Sequence, residues 1–322
     1  MKSFKYTILH SFILIFAFCS CEKEIEFKGD VVEPKLVLNG FLTPDLLVTV
    51  HLSESRFFLS NRDGFRTIDD ATVRLWKNDE VIETLSNAGE GYYTGNYRPE
   101  TGDILRITAS VPGLDAVDCS TEILPAPVIL SVDTVNTFYS YEEYEGNYGY
   151  YMQENYDLNI RINDPKDLSN YYRINLYMRN YNEDGSYSDR EVWFETEDKV
   201  FGSAESDFLE MSENPYRVFS DELFDGHEYK LKLRFENYYN YWGGGFDSGD
   251  TEERVPYREL HVDLQNLTKD YYLYLKTRGA SWEDNLGGIV SEPVQIYTNI
   301  NGGIGILGSY TSTIYKIPLR RK

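Results

Sequence analysis

The sequence predicts an all-β protein: two immunoglobulin-like β-sandwich domains, the second with long Tyr/Gly-rich loops and one short helix. Three observations carry this. From Lys35 onward, apolar residues recur at every second position in short runs, the period of a half-buried strand. Pro, Gly, Asn and Asp separate those runs at short intervals, as turns require. Aromatic residues are abundant, with 28 Tyr and 17 Phe against 4 Met, and strand cores and binding surfaces both use them this way. At 322 residues the chain has length for about two domains.

The chain opens on Lys2 and Lys5, an apolar run from Ile8 to Phe18, and Phe18-Cys19-Ser20-Cys21. A basic start, a short apolar stretch and a small residue before cysteine form an export signal, too short to span a bilayer stably. The tetrapeptide ending at Cys21 resembles a bacterial lipobox, in which the cysteine is acylated and becomes the new N-terminus. Residues 1–20 are therefore expected to be removed, and residues 21–33 to form an acylated tether. Two or three acyl chains, at about 0.8 kcal/mol per buried methylene, would anchor the protein without a spanning helix. Glu22, Glu24 and Glu26 follow directly, and an acidic cluster there resembles the surface-export signal of Bacteroidota lipoproteins. The other reading of that cluster is a solvated tether.

The first sandwich is expected over residues 34–125. Leu36, Leu38 and Leu42 alternate with Val37 and Asn39. Thr43-Pro44-Asp45 then turns the chain into a second run, Leu46, Val48, Val50 and Leu52. Ala71 to Trp76 and Val81 to Leu85 flank Lys77-Asn78-Asp79-Glu80, the pattern of a hairpin. Gly91-Tyr92-Tyr93, then Leu105 to Val111 and Asp115 to Ile123, complete the set. Leu124-Pro125-Ala126-Pro127 reads as the linker that ends it.

The second sandwich is expected over residues 126–322, with strands at Val128–Asp133, Asp157–Asn163, Tyr172–Met178, Glu191–Thr196, His227–Glu236, Glu259–Leu264, Val294–Thr298 and Thr311–Ile317. Thr268 as N-cap, Asp270 in the first turn, Tyr271 and Leu275 on one side and Gly279 beyond predict a short helix. Two low-complexity stretches, Tyr139 to Tyr156 and Asn237 to Glu253, read as loops. Tyr139, Tyr141, Tyr144, Tyr148, Tyr150 and Tyr151 are interrupted by Glu142, Glu143, Glu145, Gly146 and Gly149, while Tyr238, Tyr239, Tyr241 and Trp242 run almost consecutively. Such loops resemble paratope chemistry, in which rigid aromatics give contact area and small residues give adaptability. An exposed aromatic patch of that size marks a partner, so these ten residues are the candidate partner-binding site, converging at one end of the second sandwich. The plain alternative is a pair of solvated loops.

Composition excludes some functions. Net charge is −22, and −24 once residues 1–20 take away two lysines and no acid. Such a surface repels phosphate backbones, so no nucleic-acid partner is expected. Of three cysteines, Cys19 leaves with the signal and Cys21 is acylated. Cys119 then stands alone without a disulfide and reads as a small strand residue.

Pro34-Lys35-Leu36-Val37-Leu38-Asn39-Gly40, Asp70-Ala71-Thr72-Val73, Gly91-Tyr92-Tyr93, the Tyr-rich segment 271–275 and the closing Glu292-Pro293-Val294-Gln295-Ile296-Tyr297-Thr298-Asn299-Ile300-Asn301-Gly302-Gly303-Ile304-Gly305-Ile306-Leu307-Gly308 together resemble one family. It is the Bacteroidota lipoprotein family named domain of unknown function 4249, and the resemblance covers nearly the whole mature chain. The closing motif is the specific part. The resemblance implies a cell-envelope lipoprotein, often encoded beside a TonB-dependent outer-membrane receptor. It lends no catalytic residues.

Three motifs carry a functional reading beside a plainer one. Gly303-x-Gly305-x-x-Gly308 has dinucleotide-fingerprint spacing, but only 14 residues follow it, too few for a helix and a returning strand. The glycines instead predict a tight bend or bulge. Asn180-x-Asn182-x-Asp184-Gly185 with Glu191 has the spacing of a calcium loop, but starts on Asn and sits between strands, so a hairpin turn is expected. His51, His227 and His261 fall within or at the edge of strands, without metal or nucleophile spacing. The expectation is a protein that is not an enzyme and takes no cofactor or metal. It is a surface-facing outer-membrane lipoprotein that binds a TonB-dependent receptor, or a small ligand or peptide on its behalf. The alternatives are a structural or adhesive surface protein and, third, a hydrolase using a carboxylate pair.

Overall fold

The computed structural model describes residues 33–57, 64–143, 149–182, 184–202, 214–242, 258–283 and 295–319, with backbone alone for 135–143, 149–154, 237–242 and 281–283. In chain order the strands are β1 (Leu36–Leu42), β2 (Thr49–Glu54), β3 (Arg66–Thr67), β4 (Thr72–Lys77), β5 (Glu80–Thr84), β6 (Ser86–Gly89), β7 (Tyr92–Thr94), β8 (Ile104–Ser110) and β9 (Val117–Glu122). Then come β10 (Val128–Glu143), β11 (Gly149–Asn163), β12 (Tyr171–Tyr181), β13 (Tyr187–Val192), β14 (Val218–Ser220), β15 (Glu228–Trp242), β16 (Arg258–Leu267), the helix α1 (Lys269–Glu283) and β17 (Ile304–Leu319). The protein is all-β and sandwich-like, with this one α-helix among the described residues.

A long sheet, ordered β13-β12-β16-β17-β1-β2-β7-β6, forms a common layer, with β14 joined to β12 and β3 to β2. Two smaller sheets, β5-β4-β8-β9 and β10-β11-β15, complete the fold. The first core joins Leu36, Leu38, Val50 and Leu52 of the long sheet to Val73, Leu75, Leu105 and Ile107 of the four-stranded one. The second joins Ile174, Leu176, Leu260 and Val262 to Leu158, Ile160, Leu231 and Leu233. In β1, β8 and β9 the alternate residues are the buried ones, so the period-two pattern there is the pattern of the cores. Burying each such Leu or Ile contributes about 1.5–3 kcal/mol. The β4–β5 hairpin turns on Asn78 and Asp79 at φ 52° and 62°, the left-handed pair of a type I′ turn, which both side chains tolerate.

Pro34–Lys322 forms one compact unit. β17 runs through both cores. Its first residues pair in parallel with β1, Val37 opposite Ile304 through Leu42 opposite Ser309, and its later ones pair with β16. Ile300 and Leu307 thereby complete the first core from the far end of the chain. The segment read as a linker is laid along β17, where Thr311 and Thr313 hydroxyls donate to the Pro125 and Pro127 carbonyls at 2.9 and 2.6 Å. Asn266 Nδ2 donates to Pro125 as well.

Several expectations need correction. The Tyr-rich stretches are strand where they are described: β10, β11 and β15 continue through Glu143, Gly149 and Trp242 because each supplies the others' backbone partners. β3, β6 and β14 are too short to carry a readable period. Residues 295–300 belong to no ladder; Asn301 alone bridges to Asp118. Glu191–Thr196 is strand only to Val192, and Glu195 then bridges to Arg234. Gly279 does not stop the helix but lies inside it, against Pro215. Thr268 does precede the helix, and its carbonyl accepts from Tyr272 N–H. Its hydroxyl, however, exchanges hydrogen bonds with the Ser309 backbone instead of capping. Gly308 passes so close to Tyr271 that a side chain there would collide with it. Asp270 in the first turn accepts from Tyr297 and Asn299, which ties the closing segment to the helix.

Candidate functional site

The aromatic residues are brought together by strand register. Tyr139 and Tyr141 on β10 stand opposite Glu154 and Met152 on β11. Tyr150, Tyr151, Met152, Gln153 and Gly149 on β11 stand opposite Tyr241, Asn240, Tyr239, Tyr238 and Trp242 on β15. Eight of the ten predicted positions therefore lie on one three-stranded ribbon. By alternation, positions 139, 141, 150, 239 and 241 share one face, and positions 151, 238 and 242 share the other. The first face is continuous with the core side of the same strands, whose last anchoring pair is Tyr156 stacked on Phe235 at 4.7 Å. Beyond that pair β11 runs on from Asn155 to Gly149, roughly 20 Å at a strand's rise per residue. Tyr144 and Tyr148 lie outside the described residues, as do Cys21, Glu22, Glu24 and Glu26.

Other clusters were not legible beforehand. Asp164, Asp221 and Asp225 place carboxylate oxygens within 4.8 Å of one another, the first two buried. Asp164 accepts from Tyr172 Oη at 2.6 Å, Gly226 N–H at 2.8 Å and Asn170 Nδ2 at 3.3 Å. Asp221 accepts from Asn170 N–H at 2.6 Å. Burial raises the Asp221 carboxyl above its usual range, with Asp164 and Asp225 adding repulsion. Asp164 thus pins the end of β11 to β12 and to the turn before β15. Asp164→Ala should leave the Tyr172 hydroxyl and the Gly226 N–H without acceptors, at about 1–3 kcal/mol each. A thermal melt should show Tm lower by on the order of 10 °C; a shift within about 2 °C would remove that structural role.

An open cleft of about 950 Å³ lies on the outward side of the three-stranded sheet, lined by Asp157, Asn159, Lys230, Lys232 and Arg234 and by the segment 195–199. Within it Arg234 pairs with Asp157 at 2.6 Å, and Asp198 accepts from Tyr229 Oη and the Lys232 backbone N–H. The three described histidines are engaged in local contacts. His51 lies against Tyr92, His227 Nδ1 meets the Asp225 carbonyl, and His261 Nε2 meets Glu259 at 3.1 Å. The segment with calcium-loop spacing folds as the β12–β13 hairpin turn. Asp184 accepts from Ser186 there, and Glu191 pairs with Arg217 at 2.9 Å. Cys119 is buried in β9 and its thiol is pushed up to about 12 by burial, an unreactive strand residue.

The family model for the domain of unknown function DUF4249 matches residues 22–316. The chain belongs to that family. No curated protein matches it. The residues that carry the DUF4249 likeness are mostly joints of the fold. Pro34–Gly40 holds β1 and the closing motif opens β17, and these pair with each other. Asn299 closes that joint by exchanging two hydrogen bonds with Leu307. Tyr93 is buried, donates to the Ile68 carbonyl and accepts from Ala71 N–H, while Gly91 N–H donates to Asp69.

Proposed function

We propose that this DUF4249 protein is a non-catalytic lipoprotein, acylated at Cys21 and facing outward from the outer membrane, that serves a TonB-dependent receptor system by binding the receptor, or a small ligand or peptide for it. The observation that carries the binding part is the ribbon. Two aromatic stretches about a hundred residues apart in sequence meet by strand register, with β11 paired to β10 on one side and β15 on the other, so their backbone positions are held at strand spacing. The address rests on Lys2, Lys5, the apolar run and Cys21, followed by Glu22, Glu24 and Glu26.

The test is recovery of a partner. Detergent-solubilised outer membrane should yield a β-barrel receptor with the tagged full-length protein. Replacing Tyr239, Tyr241 and Trp242 with Ala together should reduce that recovery by about 30-fold, the effect of losing a central aromatic anchor worth about 2 kcal/mol. Its Tm should hardly move, because the ribbon continues beyond the second core. Full recovery with a folded triple variant would remove the ribbon as the contact. A wild-type protein that brings down no receptor but still coats cells or surfaces would instead favour the adhesive reading.

A further inference from the structure

A second face of the protein carries buried charged groups with hydrogen-bonding atoms that its own residues leave unpartnered. On the side of β12 and β16 turned away from the second core, His261, Asp263 and Gln265 stand opposite Tyr177, Asn175 and Arg173. The middle of this face is buried, with Asp263 at 6% exposure, whereas Trp193 just past β13 is 68% exposed and Ile314 on β17 is 53% exposed.

Three charged atoms in this region are closed to solvent and have no hydrogen-bond partner among the described residues: Asp263 Oδ1, Arg173 Nε and Arg217 Nη2. Asp263 Oδ2 accepts from Gln265 Nε2 at 2.8 Å, and the Ser312 and Asn175 side chains and the Arg173 charge also favour its carboxylate. Arg217 is as buried as Asp263. It spends Nη1 on Glu191, lies over the Trp193 ring at 4.4 Å, and is held at φ 54°, unusual for a residue other than glycine. Arg173 and Asp263 sit diagonally across adjacent strands yet form no ion pair. Tyr177 stands among Asp263, Arg173, Arg217 and Glu191 and feels the charge of each. Burial shifts two of these groups against their charges, raising Asp263 and lowering Arg217.

A buried charged group with a hydrogen-bonding atom left unmet destabilises the fold, and such costly groups cluster at binding and active sites. The unmet needs here are specific. Two guanidinium N–H groups require an acceptor, best an anionic one, and one carboxylate oxygen requires a donor, best a cationic one. We propose that this face binds a small zwitterion of the α-amino-acid type, its carboxylate held by Arg173 and Arg217 and its ammonium by Asp263. This site lies apart from the aromatic ribbon and does not depend on the ribbon's role.

The experiment is calorimetric titration of the purified full-length protein with each of the free L-amino acids. N-acetyl amino acids, amino-acid amides and maltotriose serve as blocked and uncharged controls. At least one amino acid should bind, and blocking either of its charges should weaken binding tenfold or more. Asp263→Asn and Arg173→Gln should each weaken it by a similar factor. Asp263→Asn should also keep or raise Tm, because it removes an unmatched buried charge; a merely structural Asp263 would lower Tm instead. No binding across the panel, equal binding of the blocked forms, preference for maltotriose, or an Asp263→Asn protein with lower Tm and unchanged affinity would each overturn the proposal.

Discussion

Gly305→Val should prevent the protein from reaching its folded state. Gly305 lies at φ 115° in β17, opposite Leu38 of β1, and a Cβ built there would run into the Leu38 carbonyl oxygen. Two penalties combine. A side chain at that φ costs on the order of 1–3 kcal/mol. The backbones of β1 and β17 must also separate, which opens the parallel ladder where the first core joins the second. The total should exceed about 4 kcal/mol, a large share of a typical domain's stability of about 5–15 kcal/mol. Soluble yield and a thermal melt are the measurements. Gly113→Ala is the control, because Gly113 has φ 89° but open space around it. It should cost only about 1 kcal/mol, the φ penalty alone. Equal melts for the two variants would show that the close approach to Leu38 is not what requires glycine.

Much of this architecture could be read in advance, for physical reasons that differ by region. β1, β2, β4 and β8 face one core each, so alternate residues are buried and the period of two survives in the sequence. The β4–β5 turn was legible because Asn78 and Asp79 accept left-handed backbone cheaply. β16 was harder to interpret, since both of its faces are buried and one of them holds His261, Asp263 and Gln265. A polar residue buried on a sheet's outer face looks, in sequence, like a solvent-facing residue. The pairing of β1 with β17 was beyond local pattern altogether, because it joins segments more than 260 residues apart in sequence. The glycines that permit it were read as a bend or bulge. Their close approach to β1 and to Tyr271 is set by tertiary neighbours.

The aromatic stretches mark where pattern reading failed most usefully. Interruption by Glu and Gly suggested loops, because the residues were considered one segment at a time. Taken across strands, Tyr139 and Tyr141 alternate correctly, and Tyr150, Tyr239 and Tyr241 fall on the same face by register. Strand propensity in Tyr and Trp, together with a partner on each side of β11, outweighs the low propensity of the intervening Glu and Gly. The same residues that looked like loop chemistry thus lie on paired backbone, where the conformational freedom lost on binding is smaller than for a flexible loop.

Cys21→Ala should have the largest effect on where the protein resides. Acylation at Cys21 is the anchor in the proposed function, and no helix among the described residues is long and apolar enough to cross a membrane. Each acyl chain contributes about 0.8 kcal/mol per buried methylene, so two or three chains hold the protein essentially permanently and none leaves it free. The alanine variant should therefore either appear entirely in the soluble fraction or remain unprocessed with residues 1–20 attached, which intact-mass measurement distinguishes. Wild-type protein should carry the added mass of its acyl chains on a chain starting at Cys21. Orientation follows from a second arm of the same experiment: protease added to intact cells should remove the wild-type protein, and Ala at Glu22, Glu24 and Glu26 together should protect it while leaving the acyl mass unchanged. Normal processing and unchanged membrane fractionation of Cys21→Ala would remove the lipid anchor from the proposed function.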